Sequence, residues 1–143
     1  MAKVNQKGRT KGYRPFVMLR HDLMDSSAYR SLSPADRAVY MQVLRRYNGN
    51  NNGDIPLSCR EAGELCNISD ATASRAFKAL QDRGFLSIGR ASGFNMKTRM
   101  STRWILTHHA LDKNIAPSNE WRDWGKKQNT VSLDTPTVSG GTP

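Results

Sequence analysis

The chain has 143 residues, of which 37% are hydrophobic, and it carries a formal net charge of +10. This composition suffices for one domain with a modest core and leaves little for a second. No run of about 18 apolar residues is present, so no segment is expected to cross a membrane, and the N-terminus lacks the apolar stretch of a secretory signal. The excess of basic residues indicates a polyanionic partner, with nucleic acid as the first candidate.

The positive charge is concentrated in two segments that contain no acidic residue. Residues 1–14 hold five basic residues and residues 91–107 hold three, whereas residues 15–66 balance six bases against six acids. A surface charged only for solubility would not be so polarised. We predict that residues 1–14 form a disordered basic arm.

The predicted domain spans residues 15–111 and begins with short elements. Residues 16–19 form an apolar run that is either a strand or the edge of the core. A first helix is predicted over residues 22–30, with one apolar side facing the core. The residues expected to face inward are Leu23, Met24 and Ala28.

A second helix is predicted to begin at Pro34, with Ser33 as its N-cap, and to reach about residue 47. Its apolar residues predict a single buried face. That face consists of Ala38, Val39, Val43 and Leu44. The Asn- and Gly-rich residues 48–54 then predict a flexible loop.

Residues 55–57 are predicted to be extended, and Ser58 is predicted to cap a helix that ends near Cys66. Ser58 and Glu61 match the capping box Ser-x-x-Glu. Cys59 and Cys66 are expected about 10 Å apart along this helix, which is too far for a disulfide. We therefore expect a protein of a reducing compartment, the cytoplasm.

The next helix carries the strongest functional signal. It is predicted to follow a turn at residues 67–69, with Ile68 in the core and Ser69 as N-cap, and to end at Gly84, where a positive φ is expected. Apolar residues at helical spacing predict a buried face made of Ala73, Ala76, Phe77 and Leu80. The opposite face is small or cationic and nearly free of acid: Ala71, Thr72, Ser74, Arg75 and Lys78.

Two strands over residues 85–88 and 102–107 are predicted to form a hairpin with a mobile tip. The cations of this hairpin are Arg90, Lys97, Arg99 and Arg103. The composition of residues 112–143 predicts a weakly ordered tail. Within the tail, Trp121 and Trp124 either fold back onto the core or bind another protein.

The order of these elements resembles the winged helix-turn-helix domains of bacterial, phage and plasmid DNA-binding proteins. The segments that carry the resemblance are 55–65, 68–69, 72–80 and 83–86, and the last two are similar to the recognition helix and first wing strand of the MarR-like and GntR-like groups. The resemblance covers about residues 16–110 and implies a mainly α-helical fold with a small β-hairpin. The implied function is sequence-preferring binding of double-stranded DNA, as a transcription regulator.

Carried over to this chain, the resemblance implies specific contacts with DNA. The recognition-helix contacts are Ala71, Thr72, Ser74, Arg75 and Lys78. Ser69 caps the helix where backbone N–H groups meet a phosphate, and the four hairpin cations contact the backbone or the minor groove. Outside the segment that carries the resemblance, the basic charge of the arm predicts that Arg9 and Lys11 contact phosphates or enter the minor groove, unless the arm is a plain disordered terminus. Asp70 departs from the pattern, and we favour a role at the helix dipole over contact with a cytosine amino group.

Other functions remain open at this point. A plasmid or phage replication initiator would bind origin DNA and recruit a protein through Trp121 and Trp124. An RNA-binding or nucleoid-coating protein would use charge alone and bind unrelated sequences alike. In the simplest alternative, Arg75 and Lys78 belong to a solvated helix face.

The resemblance also implies a homodimer that contacts two half-sites.

Catalysis and metal binding are not predicted. His21 beside Asp22 lacks a nucleophile or a third group, and His108 and His109 are expected to point to opposite faces of a strand end. The two cysteines lack the second ligand pair of a zinc site, and no phosphate-binding Gly-rich loop occurs. We therefore expect neither enzyme activity nor a cofactor.

Overall fold

The structure, a computed structural model, describes residues 14–90, 93–94 and 99–125. Its helices are His21–Met24 (α1), Ser27–Arg30 (α2), Pro34–Arg46 (α3), Cys59–Cys66 (α4) and Asp70–Asp82 (α5). Its strands are Ile55–Pro56 (β1), Leu86–Arg90 (β2), Gly93–Phe94 (β3), Arg99–Met100 (β4) and Arg103–Leu106 (β5), and a 3₁₀-helix covers Glu120–Asp123. These residues form an α+β fold in which helices dominate. None of the described helices combines the length and hydropathy that crossing a bilayer requires.

The prediction of one helix over residues 22–30 is wrong, because two four-residue helices form there instead. The hydroxyl of Ser26 accepts a hydrogen bond from the backbone N–H of Tyr29 at 3.1 Å and caps α2. A serine that bonds to nearby backbone in this way competes with a continuous helix. Leu23 and Ala28 are buried as predicted, whereas Met24 is 39% exposed and was wrongly assigned to the core.

Residues 16–19 form no strand and lie along the edge of the core. Val17 and Leu19 pack against the core, whereas Phe16 and Met18 are 68% and 65% exposed. Alternate side chains of this segment therefore face the protein and the solvent. Of the two predicted possibilities, the core edge is the correct one.

Capping boxes begin α3 and α4 at the predicted serines. At α3, the Ser33 hydroxyl accepts from the N–H of Asp36 at 3.1 Å and the Asp36 carboxylate accepts from the N–H of Ser33 at 2.9 Å. Ser58 and Glu61 form the same reciprocal pair at α4. Ala38 is only half-buried, against prediction. The buried face of α3 consists of Val39, Tyr40, Val43 and Leu44.

The turn between α4 and α5 brings these two helices into contact. Asn67 adopts the left-handed conformation at φ 57°, and the N–H of Ile68 donates to the Gly63 carbonyl at 2.9 Å. A Cβ atom at Gly63 would lie only 2.9 Å from the carbonyl oxygen of Ile68. Ile68 packs against the core as predicted. Close approach at residue 63 therefore requires glycine.

The strands β1, β5 and β2 form an antiparallel sheet in that order, and β3 pairs with β4. β2 and β5 pair as predicted, with Leu86 opposite Leu106 and Ile88 opposite Trp104. β1, predicted only as an extended piece, is the third strand. Gly84 has φ 86° between α5 and β2, as its position after the helix predicts.

Four hydrogen bonds of Asn52 anchor the predicted loop between α3 and β1. Its amide nitrogen donates to the carbonyls of Leu106, His109 and Ala110 at 3.0–3.2 Å, and its amide oxygen accepts from the N–H of Leu106 at 2.7 Å. The loop is therefore fastened to the end of β5. A loop was predicted from composition, but its attachment was not.

The core extends beyond residue 111, where the predicted domain ends. Trp121 is 4% exposed and lies parallel to Phe85, with ring centroids 6.3 Å apart and an interplanar angle of 6°. The ring of Phe85 also contacts Tyr40, at 5.3 Å between centroids. Trp121 thus brings the 3₁₀-helix into the same core as α3.

Candidate nucleic-acid interface

Helix α5 has a buried and an exposed face, divided as the sequence predicts. The inward residues are each at most 3% exposed: Ala73, Ala76, Phe77 and Leu80. On the other side, Thr72 is half-buried. The exposed residues there are Ala71, Ser74, Arg75 and Lys78. The five residues predicted to contact DNA therefore share one side of the helix.

Three side chains at the start of this face are joined by hydrogen bonds along the first two turns of α5. The Ser69 hydroxyl accepts from the N–H of Thr72 at 3.1 Å, which caps the helix, and donates to the Thr72 hydroxyl at 2.9 Å. The guanidinium of Arg75 donates to the same Thr72 oxygen at 3.2 Å. Ser69, Thr72 and Arg75 therefore form one connected group on the surface.

The inner face of α5 rests on a rigid aromatic contact with the sheet. Phe77 stacks on Trp104 of β5, with centroids 4.5 Å apart and rings inclined by 6°. The indole N–H of Trp104 donates to the Leu57 carbonyl at 2.9 Å. Trp104 is 4% exposed, so it is a core residue and offers no surface for stacking bases.

The cations of the α5 face form no ion pair within the described part of the chain. Neither Arg75 nor Lys78 forms an ion pair there, whereas Arg46 is held by Glu61 at 3.1 Å. Asp70 lies in the first turn of α5, where a negative charge complements the helix dipole. The exposed face therefore keeps its positive charge available to a ligand.

Among the hairpin cations, Arg103 lies near an acidic side chain. Arg103 lies 3.7 Å from Asp54 in the loop before β1, and its side chain is 28% exposed. Sequence reasoning missed this partner because the two residues are distant along the chain. Arg90 lies in β2 and Arg99 in β4. Three other predicted phosphate contacts lie outside the described residues: Arg9, Lys11 and Lys97.

The two tryptophans predicted as partner-binding residues pack within the protein instead of projecting from a tail. Trp121 is buried against Phe85, and its indole N–H donates to the side chain of Asn119 at 3.2 Å. Trp124 is half-buried, with the guanidinium of Arg83 5.3 Å from its ring centroid. Because its ring is enclosed by the core, Trp121 is corrected from a partner contact to a core residue.

His108 and His109 do not point to opposite faces, because they lie in a turn after β5 and their ring centroids are 4.1 Å apart. The Nδ1 atom of His108 shares a hydrogen bond of 3.2 Å with the Tyr40 hydroxyl, and His109 stacks on Tyr47. Burial, with a smaller effect from His109, lowers the pKa of His108 to about 4. Across the described ranges, no three His, Cys, Asp or Glu side chains are grouped to hold a metal ion.

The exposed side of α5, from Ser69 to Lys78, is the candidate nucleic-acid interface. It combines hydroxyl and guanidinium groups with small side chains on a helix that the core holds in place. No protein-family model, curated protein or solved structure matches this chain. The functional proposal therefore rests on the geometry and charge of this face.

Proposed function

We propose that the protein is a winged helix-turn-helix transcription regulator that binds duplex DNA with sequence preference. In this proposal α4 and α5 form the helix-turn-helix, α5 enters the major groove, and the β2–β5 hairpin is the wing. The observation that carries the proposal is the outward face of α5. Its side chains are small, hydroxylic or cationic, while the opposite face of the same helix is buried.

The dimensions of α5 suit this role. Its 13 residues make a rod of about 20 Å, and the major groove of B-DNA, about 12 Å wide, admits an α-helix. The small side chains of Ala71 and Ser74 permit close approach of the helix to the base edges. Arg75 and Lys78 then supply donors to bases and phosphates, since neither forms an ion pair within the described residues.

The hairpin supplies a second, sequence-independent contact in this proposal. Residues 91–107 contain no acidic residue, so the hairpin favours phosphates. Because Arg103 is paired with Asp54, we assign it to fastening the hairpin to the loop before β1. Arg90 and Arg99 remain the wing cations.

The position of Trp121 favours a regulator over a replication adaptor. The adaptor hypothesis required Trp121 and Trp124 to be available to a second protein. Trp121 is 4% exposed and belongs to the core, so one of these two tryptophans is not available to a second protein. A role that needs only DNA binding fits the described residues better.

Selection of binding sites from random duplexes with the purified full-length protein tests the proposal. We expect an enriched motif, and we expect Arg75→Ala to reduce the preference for that motif by roughly 1–3 kcal/mol. Arg45→Ala is the matched control, because it removes the same charge from an exposed position on α3. Binding constants for the selected duplex and a scrambled duplex measure both variants.

Two results would contradict the proposal. If no motif is enriched and unrelated duplexes and RNA bind equally well, the protein binds by charge alone. If Arg75→Ala and Arg45→Ala lower the affinity for selected and scrambled duplexes by the same factor, α5 does not contact the bases.

A further inference from the structure

The hydroxyl group of Thr72 is occupied by its neighbours in a way that limits what it can offer to DNA. Its oxygen accepts one hydrogen bond from Ser69 at 2.9 Å and another from Arg75 at 3.2 Å. A hydroxyl oxygen has two acceptor sites and one O–H donor. Both acceptor sites of Thr72 are therefore in use, and only its O–H remains for a ligand.

The same bond fixes the direction of the Arg75 side chain. Arg75 lies three residues after Thr72, and its guanidinium turns back towards the N-terminal end of α5, the direction that long side chains favour in helices. A guanidinium has five N–H donors. Its bond to Thr72 uses one donor, so a pair of donors remains for a bidentate contact.

We propose that Thr72 is a positioning residue that holds Arg75 ready to bind the major-groove edge of guanine. This inference rests on the proposed DNA-binding function and specifies the base that the site recognises. Guanine presents two adjacent acceptors, N7 and O6, in the major groove, whereas adenine and cytosine each present an amino donor there. Thr72 and Arg75 together present only donors, so a G·C pair is the complementary partner.

Holding the arginine before binding increases its selectivity. An exposed arginine that is free in solution loses conformational freedom when it binds a base, and a tethered arginine loses less. Removal of the tether therefore weakens binding to the guanine-containing site. Binding to scrambled DNA, which depends on phosphate contacts, changes little.

The variants Thr72→Val and Thr72→Ser separate this role from a structural one. Valine keeps the shape of threonine without the hydroxyl, and serine restores the hydroxyl. We expect Thr72→Val to reduce the ratio of selected to scrambled affinity by about three- to tenfold, and Thr72→Ser to restore it. Thermal unfolding of both variants checks the fold, because the cap from Ser69 to the backbone N–H of residue 72 is unaffected by either change.

Base analogues test the partner directly. The position at which Arg75→Ala loses its preference identifies the base pair that contacts Arg75. At that position we expect 7-deazaguanine, which lacks N7, to weaken wild-type binding about tenfold. Inosine keeps both N7 and O6, so we expect binding within about twofold of the guanine duplex.

The outcomes distinguish this inference from the proposed function. A protein that selects no duplex motif lacks the proposed function itself. Suppose instead that the protein selects a motif in which the position that depends on Arg75 is not a guanine. That result would keep the proposed function and overturn the guanine assignment. Equal discrimination by wild type, Thr72→Val and Thr72→Ser would show that Thr72 does not position Arg75.

Discussion

At the scale of single residues, His108 links acidity to stability. The residue is 8% exposed, its ring shares a hydrogen bond with the buried hydroxyl of Tyr40, and burial lowers its pKa to about 4. The neighbouring charges oppose each other, since His109 and Arg20 lower this pKa and Asp22 raises it. The ring is therefore neutral at pH 7 and has little tendency to take up a proton while the protein is folded.

We predict that the protein loses stability as the pH falls from 6.5 towards 4. In this range the unfolded chain binds a proton at residue 108 and the folded chain does not, so protonation favours unfolding. The expected loss from this residue is roughly 2–3 kcal/mol near pH 4. Urea unfolding at pH 7.5 and pH 4.5 measures it.

The variant His108→Asn is the control for this prediction. Asparagine places a polar atom near the position of Nδ1, so it preserves a partner for Tyr40 without a titrating group. We expect a smaller difference in the free energy of unfolding between the two pH values than in wild type. An unchanged difference would assign the acid sensitivity to other groups.

Residue-level features were predictable where both partners lie close in sequence. Ser33, Ser58 and Ser69 cap helices as predicted, because each bonds to a backbone group three residues ahead. The bond between Tyr40 and His108 spans 68 residues, and no local pattern indicates it. The bond from Arg75 to Thr72 is local, but it depends on side-chain rotamers that the spacing does not specify.

At the scale of elements, the junction of α4 and α5 depends on Gly63. A Cβ atom there would lie 2.9 Å from the Ile68 carbonyl oxygen and 3.2 Å from the carboxylate of Asp70. Both neighbours belong to the turn and the start of α5. A side chain at residue 63 would therefore push α5 away from α4.

We predict that Gly63→Ala destabilises the protein by about 1–3 kcal/mol and weakens the proposed DNA binding. In an ordinary helix interior the same change stabilises by about 1 kcal/mol, because alanine has the higher helix propensity. The sign of the change in the free energy of unfolding therefore decides between the two expectations. An increase in stability would show that the junction has room for a methyl group.

Element boundaries were predictable where a cap or a glycine coincides with the end of a periodic pattern, as at α3, α4 and α5. The division between α1 and α2 was missed because the Ser26 cap lies within a continuous apolar pattern. β1 was seen only as an extended piece, since two residues carry no alternation and its pairing with β5 is non-local. The exposed face of α5 was found because helical periodicity is a local property.

At the scale of the whole molecule, Trp121 joins the C-terminal part of the described chain to the core. We predict that Trp121→Ala lowers the free energy of unfolding by about 3–5 kcal/mol, because it leaves a cavity beside Phe85. Trp124→Ala removes a half-buried ring beneath Arg83, so we expect a loss of only about 1 kcal/mol. Chemical denaturation of the two variants measures the difference.

If both variants lose the same free energy of unfolding, Trp121 stabilises the protein no more than the half-buried Trp124 does. The sequence left this point open, because two tryptophans three residues apart in a polar segment suit a core contact and a partner surface equally well. Only the position of Phe85 in three dimensions distinguishes them. The mainly helical architecture with a small antiparallel sheet and the exposed face of α5 were therefore predictable, whereas the end of the packed unit was not.

The stacking of Trp121 on Phe85 has a consequence for biosynthesis. A nascent chain that has emerged from the ribosome only as far as β5 already contains every residue of the α5 face, yet it lacks the ring that covers Phe85. Until residue 121 leaves the exit tunnel, that apolar surface stays open to water and to chaperones. Completion of the core thus follows the synthesis of the surface proposed to bind DNA.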